Sequence, residues 1–305
     1  MGKNIGNVSN LDLFTYEDAL NEINSWAKDQ LILKSINFND SGKIPFFVQY
    51  LNYLSKLISS KPRRVNKARN FEVTSENNDG FMELVNAFES GLDINPYLSK
   101  GILNAKSIDG MLDNFGVKHF HLGNELEDKF FKRTGEIALA IVTNDEVFFI
   151  ASKQHGKGHG DIWYEKDVLE IIHEERPDLI EHCKVSMFEE LSNDISNTND
   201  IKTLRNANLN TAITLGDGTS YMPFNLGQSL AGFSAMFSIK MINVAKDIYS
   251  LISTIIQEQI NIGFQIKNCE ISQSNFLADG RLQFIELKLS DGKSDKYLEF
   301  YKDQA

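Results

Sequence analysis

Apolar residues recur at every third or fourth position through residues 11–58, a spacing that predicts amphipathic helices. Asp40-Ser-Gly-Lys separates two such helices, and Pro62 ends the second. A further helix is predicted near residues 80–90, with Gly91 placed to cap it. The apolar stripes comprise Leu20, Ile23, Trp26 and Ala27, then Phe47, Val48, Leu51, Leu54 and Leu57, then Phe81, Leu84, Val85 and Phe88.

The pattern changes in the central stretch, residues 115–163, where strands are predicted. Residues 117–122 alternate between polar and apolar, residues 136–143 are nearly all apolar, and residues 146–151 return after a turn at Asn144-Asp145. A short helix at 107–115 precedes this stretch and a helix at 165–175 follows it. A small antiparallel sheet with flanking helices is therefore expected here.

The C-terminal third predicts strands at 208–215 and at Tyr221-Met-Pro-Phe, then a helix from about residue 229 or 233 to 259. Strands at 263–272, 282–288 and 297–301 close the chain. Breaks at Asn95-Pro96 and in the Ser-, Asn- and Asp-rich residues 189–205 divide the chain into a helical domain (1–95), a central α+β domain (96–188) and a C-terminal α+β domain (206–305). The predicted fold class is α+β.

The amino-acid composition and net charge of the chain disfavour several classes of protein. A hydrophobic fraction of 42% with 24% charged residues is typical of a globular protein with a sizeable core, and a net charge of -11 argues against a protein that coats nucleic acid. Two distant cysteines, Cys183 and Cys269, disfavour a disulfide framework and fit a cytoplasmic location. No stretch is apolar enough to predict a membrane segment. The basic residues 61–69 predict either a solvated surface or a site for an anionic partner.

Four of the six histidines lie in the central stretch: His119, His121, His155 and His159. His119 and His121 are two apart on a predicted strand, so their side chains share one face. His155 comes from the following loop and could stand opposite them. Histidine serves as both base and acid near neutral pH, and cleavage of RNA without a metal needs such a pair together with a cation for the phosphate.

Three imidazoles also permit a zinc site with one open position, so a metal is a second interpretation of the same residues. Trp163 and Tyr164 could stack a nucleobase or could pack the start of the next helix. Gly156, Gly158 and Gly160 give the loop freedom to bring backbone donors to an anion, but the spacing is not that of a Walker phosphate loop.

The central stretch, with Val117-Lys-His-Phe-His-Leu122, Arg133-Thr-Gly and the hairpin into Val147-Phe-Phe-Ile150, resembles RelE/ParE-type toxin ribonucleases in the order of its elements. The resemblance covers about residues 107–176, and histidines stand where that family more often has Arg, Lys and Tyr. It implies a small toxin-like ribonuclease fold, and with it an antitoxin-like protein partner. The wider chain is similar to uncharacterised bacterial proteins.

The resulting hypothesis is a toxin-like or phage-defence-like endoribonuclease that uses no metal and no cofactor. His121 and His155 are the expected acid and base, with His119 in support, and Lys153 and Arg133 are expected to hold the phosphate. Substrate contacts are expected from Lys157, His159, Trp163 and Tyr164. The alternative is a non-enzymatic interaction protein that uses the same fold as a scaffold. The long C-terminal helix could form a homodimer or pack on its own strands.

Overall fold

The computed structural model describes residues 13–107, 109–185, 198–207, 209–223, 227, 234–277 and 281–301. Helices and small sheets alternate along them, which confirms the α+β class. The helices are α1 Tyr16–Leu33, α2 Phe46–Lys56, α3 Asn78–Ser90, α4 Gly110–Phe115, α5 Asp167–Glu175, α6 Thr198–Asn206 and α7 Ala235–Asn261. The strands are β1 Arg64–Lys67, β2 Val117–His121, β3 Leu126–Glu127, β4 Phe130–Phe131, β5 Glu136–Val142, β6 Glu146–Gln154, β7 Lys184–Val185, β8 Ile213–Thr214, β9 Ser220–Tyr221, β10 Asn268–Phe276, β11 Leu282–Ser290 and β12 Asp295–Tyr301.

Two compact units make up the chain. Unit 1 joins Met1–Leu54 to Phe237–Ala305, and unit 2 is Ser55–Met236. This division differs from the three consecutive domains expected from composition. Breaks in composition mark loops, whereas a compact unit is defined by packing between segments that can be far apart in the chain. The Ser-, Asn- and Asp-rich stretch lies partly outside the described residues.

Unit 1 contains α1, most of α2, α7 and an antiparallel sheet in the order β10-β11-β12. Thr15 caps α1, because its side chain accepts from the Asp18 backbone N–H while the Asp18 carboxylate accepts from the Thr15 N–H. The sequence predicts a buried stripe on α7 at Met241, Val244, Ile248, Leu251, Ile252 and Ile255. Four of these residues are buried, Val244, Ile248, Ile252 and Ile255, together with Ala245 and Ile256.

Unit 2 is built on a four-stranded sheet in the order β1-β6-β5-β2. β5 pairs antiparallel with both β2 and β6, as the sequence pattern predicts, and β1 adds to β6 in parallel. β1 was not predicted, because it lies in the basic residues 61–69, where charged side chains obscure the hydrophobic pattern of a strand. Apolar residues fill both faces of the sheet, so β5 is apolar along nearly its whole length and β6 is apolar from Val147 to Ala151.

Helices α4 and α5 contribute to the core on one face of this sheet, and α3 contributes to the core on the other. Gly91 and Gly116 end α3 and α4 in the left-handed region, with φ of 71° and 68°. A side chain in that conformation would be strained, so glycine suits both positions. The cap predicted at Gly91 is therefore confirmed. The tight end of α4 at Gly116 leads directly into β2, the strand that carries two of the histidines.

The buried carboxylate of Glu136 connects the start of β5 to the loop between β1 and α3. It accepts hydrogen bonds from the backbone N–H and hydroxyl of Thr74, from the amide of Asn77 and from the hydroxyl of Ser152. Burial raises the pKa of Glu136, but these hydrogen bonds outweigh burial and hold it below the usual range of a glutamate. Glu136 is therefore a structural anion at the end of the sheet where the histidines lie.

Within the described residues, no helix combines the length and the apolar character needed to cross a membrane.

Candidate active site

Three histidines converge at one end of the unit 2 sheet. His121 pairs with Ile137 on β5, and Ile137 pairs with Lys153 on β6. His155 follows two residues after Lys153, and its backbone N–H donates to the Gly135 carbonyl at 2.5 Å. Side chains alternate along a strand, so His119, His121 and His155 all point to the same face. The sequence prediction that the β2 pair shares a face with His155 opposite is confirmed by this register.

The three imidazoles are close enough to act as a group, which we call the histidine cluster. One ring nitrogen from each lies within 4.8 Å of the others. The rings of His121 and His155 are nearly parallel with centroids 5.7 Å apart, and His119 meets each of them edge-on at 6.1 Å. Among the described residues, this is the group of His, Cys or carboxylate side chains that could hold a metal ion.

His121 is the innermost member, with 2% of its surface exposed. Neither of its ring nitrogens has a hydrogen-bond partner among the described residues. Burial, together with His119, Arg133 and His155, lowers its pKa to about 3, so the ring is neutral at pH 7. A neutral imidazole with two unpaired nitrogens is a costly group to bury and requires an explanation.

His119 and His155 connect the cluster to a cavity of about 550 Å³. His119 Nδ1 lies 3.5 Å from Asp109 Oδ2. Burial lowers the pKa of His119, against the opposing effect of Asp109, and burial followed by His119 and Arg133 lowers that of His155. Asp109 is held in place because its carboxylate also accepts from the Leu112 N–H and caps α4.

Cationic side chains outnumber carboxylates in the lining of the cavity. Among the described residues that line it, four carry a positive charge, Lys56, Lys118, Arg133 and Arg205, against the single carboxylate of Asp109. Buried ammonium groups without partners would be costly. These lysines have partners: Lys118 donates to the carbonyls of Ser55 and Lys56 at 2.6 and 3.1 Å, and Lys56 donates to the Ser107 carbonyl at 2.6 Å.

Burial lowers the pKa of both lysines to about 8, while Asp109 and Asp113 act to raise it. Both ammonium groups are therefore mostly protonated at pH 7. The guanidinium of Arg205, which also lines the cavity, lies 4.8 Å from the ring centroid of Phe115 and 5.9 Å from that of Tyr164. Cation–π contacts of this kind position a guanidinium without neutralising it.

The residues expected to bind substrate divide into two groups. Arg133 and Tyr164 line the cavity. Lys153 does not: its ammonium group is paired with Glu165, at 2.9 Å, and with Asp167. Two carboxylates already satisfy this cation, so the expectation that Lys153 holds a phosphate requires correction.

Two loop residues also stand apart from the cavity lining. Lys157 and His159 are exposed and do not line the cavity, so the expectation that they contact substrate is not supported by their position. The side chain of Trp163 lies outside the described residues. His121 itself does not line the cavity, which places it behind the other two histidines and not in direct contact with a substrate.

Sequence reasoning missed Asp109, Lys56, Lys118 and Arg205. A signal existed for Asp109, which stands as a helix N-cap before Gly110. Lys56 stands just ahead of the basic residues 61–69, which were a candidate site for an anionic partner. Lys118 and Arg205 gave no signal, because only the fold brings β2 and α6 to one cavity.

Comparison with known proteins finds no family model, no curated protein and no solved structure that matches this chain. The resemblance of the central stretch to toxin ribonucleases therefore stays a prediction.

Proposed function

We propose that unit 2 is an endoribonuclease whose cavity binds a phosphodiester of single-stranded RNA and whose histidine cluster is the reactive centre. The observation that carries this is the meeting of four cationic side chains and the cluster in one cavity. Phosphate groups are bound mainly by Lys and Arg, and RNA cleavage needs an activating group beside them.

The local charge supports an anionic ligand because it opposes the charge of the whole chain. The net charge is -11, yet four cations and one carboxylate line this cavity. A positive site on a negative protein selects for the anionic part of a ligand and does not attract nucleic acid along its whole surface. We therefore expect a contact with one or two phosphates and not an extended track.

The cavity volume, about 550 Å³, suits a ligand of nucleotide size. Tyr164 is in the wall and offers an aromatic edge and a hydroxyl, which donates to Asn206 Oδ1 at 3.3 Å. Bases that are unstacked from a strand pack readily on aromatic side chains. Single-stranded RNA fits these features better than a duplex, whose bases are enclosed.

The sequence predicts that His121 and His155 act as the acid and the base, but their lowered pKa values favour a different role for the histidines. Cleavage by the 2'-oxygen forms a new P–O bond and breaks the P–O5' bond, so the leaving oxygen needs a proton or a positive charge. Burial lowers the pKa of all three imidazoles, which reduces the fraction that is protonated at pH 7. We therefore expect the positive charge for the leaving oxygen to come from another group at the cavity.

The test compares Arg133→Gln with Lys132→Gln, because the two side chains are adjacent and carry the same charge but only Arg133 lines the cavity. Lys132 is exposed and pairs with Glu125 at 3.3 Å. We expect the full-length protein to cleave a labelled single-stranded RNA. Arg133→Gln should lower kcat/KM about 10-fold to 100-fold, the usual effect of removing one charged hydrogen bond, and Lys132→Gln should change it by less than about twofold.

Intact RNA under all conditions, with zinc added and with EDTA, would favour the non-enzymatic interaction protein instead. Equal effects of the two substitutions would place the reaction outside this cavity. We include a cytoplasmic location in the proposal, since the described thiols Cys183 and Cys269 form no disulfide. An antitoxin-like partner and a homodimer through α7 stay predictions from the sequence and are not part of this proposal.

A further inference from the structure

We propose that His119, His121 and His155 form a three-histidine centre for a divalent transition-metal ion, zinc in the first place, with its open coordination position facing the cationic cavity. The catalytic meaning of this centre rests on the proposed function, whereas binding of the ion can be measured by itself.

The spacing of the imidazoles suits a metal. Zinc binds histidine nitrogen at about 2.0–2.1 Å in tetrahedral geometry, so nitrogen ligands lie about 3.3 Å from one another. The candidate nitrogens of the cluster lie within 4.8 Å of one another. The distances between the ring nitrogens must therefore shorten by about 1.5 Å at most to form the zinc site. Rotation of the side chains can bring the nitrogens this much closer, since His119 and His155 are only partly buried.

His121 provides an independent observation that points to a ligand. It is 98% buried and both its nitrogens lack hydrogen-bond partners among the described residues. Buried polar atoms in native proteins are almost always paired. An ion between the three rings supplies a partner for one of these nitrogens and explains why a polar ring occupies this position.

Asp109 acts as a positioning residue. Its Oδ2 lies 3.5 Å from His119 Nδ1, which leaves Nε2 of that ring for the ion. Histidines that bind metals commonly donate their other N–H to a carboxylate, which fixes the tautomer and makes the ligand more basic. Asp109 is itself fixed, because it caps α4. The chain thus holds the ligand through a rigid element.

The donor set limits the identity of the ion. Three imidazoles suit zinc and its neighbours in the first transition row, whereas magnesium and calcium prefer oxygen ligands. Three protein ligands with one open position are typical of catalytic zinc and not of structural zinc, which is closed by four.

The cationic cavity determines what occupies the open position. A divalent ion beside Arg133 and Lys118 raises the local positive charge, so a neutral fourth ligand leaves repulsion uncompensated. An anion that bridges the ion and the side chains relieves this repulsion. The fourth ligand is thus an oxygen of an anion such as a phosphodiester, and the ion would supply positive charge beside the leaving or bridging oxygen.

The first experiment titrates the demetallated full-length protein with zinc by calorimetry and measures bound zinc by atomic emission after dialysis. We expect one ion per chain. His121→Asn and His155→Ala should weaken binding at least about 100-fold, and Asp109→Asn about 10-fold to 100-fold. His159→Ala is the matched control, because it removes an exposed imidazole from the same loop without touching the cluster, and it should bind as the parent does.

Circular dichroism establishes whether each variant is folded, and the absorption spectrum of the cobalt-substituted parent gives a readout that does not depend on variants. A tetrahedral cobalt spectrum with nitrogen ligands is expected. Substoichiometric zinc in the parent, or equal affinity in His121→Asn, would overturn the metal centre. RNA cleavage that persists in EDTA without a bound ion would support the ribonuclease and overturn the metal centre. One bound ion per chain without RNA cleavage would support the metal centre and overturn the ribonuclease.

Discussion

Replacement of His121 by Phe is expected to stabilise the metal-free protein. The substitution keeps an aromatic ring against His155, whose centroid is 5.7 Å away, and removes two buried nitrogens that have no partner among the described residues. Most substitutions in a core destabilise, so a gain in stability is a distinctive outcome. It would arise because the native residue is suited to binding an ion and not to packing.

The magnitude follows from the burial of the ring. His121 is neutral at pH 7, since its pKa is lowered to about 3, and it therefore buries one donor and one acceptor. Each orphaned group costs about 1–3 kcal/mol, so the two together cost at least about 2 kcal/mol. The larger phenyl ring introduces overpacking of about 1 kcal/mol. The variant should then gain at least about 1 kcal/mol, which corresponds to about 2–4 °C in the melting temperature of a unit of this size.

The assay is urea unfolding followed by circular dichroism at pH 7, once in EDTA and once in excess zinc. In EDTA the variant should unfold at higher urea than the parent. In zinc the variant should lose about 2.7 kcal/mol relative to the parent, because the parent gains that much at one hundred times its dissociation constant and the variant gains nothing. Phe120→Leu serves as the control, since Phe120 is fully buried on the opposite face of the same strand. It should lose stability equally under both conditions.

Loss of stability by His121→Phe in EDTA would refute the reasoning. It would mean that the ring nitrogens are satisfied in the folded protein and that His121 is an ordinary core residue.

Three further predictions concern other groups. Glu136→Ala should destabilise unit 2 by about 3 kcal/mol in urea unfolding, while Glu136→Gln, which keeps one acceptor, should cost about half as much. The pKa of Glu136 is lowered in the folded protein, so its carboxylate stabilises the fold fully above the pKa of an unfolded glutamate, about 4.3. This stabilisation is lost as the pH falls through the lower pKa of the folded state. The stability of Glu136→Gln should therefore depend less on pH in that acid range. RNA binding should weaken with salt, and Arg133→Gln should make the logarithmic slope shallower by about 0.7 while Lys132→Gln leaves it unchanged. Burial raises the pKa of the thiols of Cys183 and Cys269 to about 11, so iodoacetamide at pH 7.5 should label them quickly only after unfolding; rapid labelling of the folded chain would contradict this.

The sheet of unit 2 was predictable where one strand carries its own signal. The alternation at residues 117–122 and the apolar run at 136–143 identify β2 and β5, and the two-residue spacing of His119 and His121 places both on one face. β1 was missed because four residues, Arg64–Lys67, carry mostly polar side chains. Its strand conformation comes from pairing with β6, a contact that no local pattern reports.

The candidate site was predictable only for residues close to one another in the sequence. The histidine cluster comes from β2 and from the end of β6, which lie on either side of β5, so their meeting depends on the sheet register as well as on the turn between β5 and β6. The phosphate-binding role expected of Lys153 failed because Glu165 and Asp167, on the turn and helix that follow, pair with its ammonium group. Short-range spacing gives the position of a cation but does not reveal which carboxylate the fold brings to it.

The measurement that tests the central claim most directly is X-ray absorption at the zinc edge of the zinc-loaded protein, because it counts ligands by type. The account predicts three imidazole nitrogens at about 2.0–2.1 Å and one oxygen, with the imidazole count falling to two in His155→Ala. A first shell dominated by water or carboxylate oxygen, or one that contains sulfur, would contradict a metal centre formed by His119, His121 and His155.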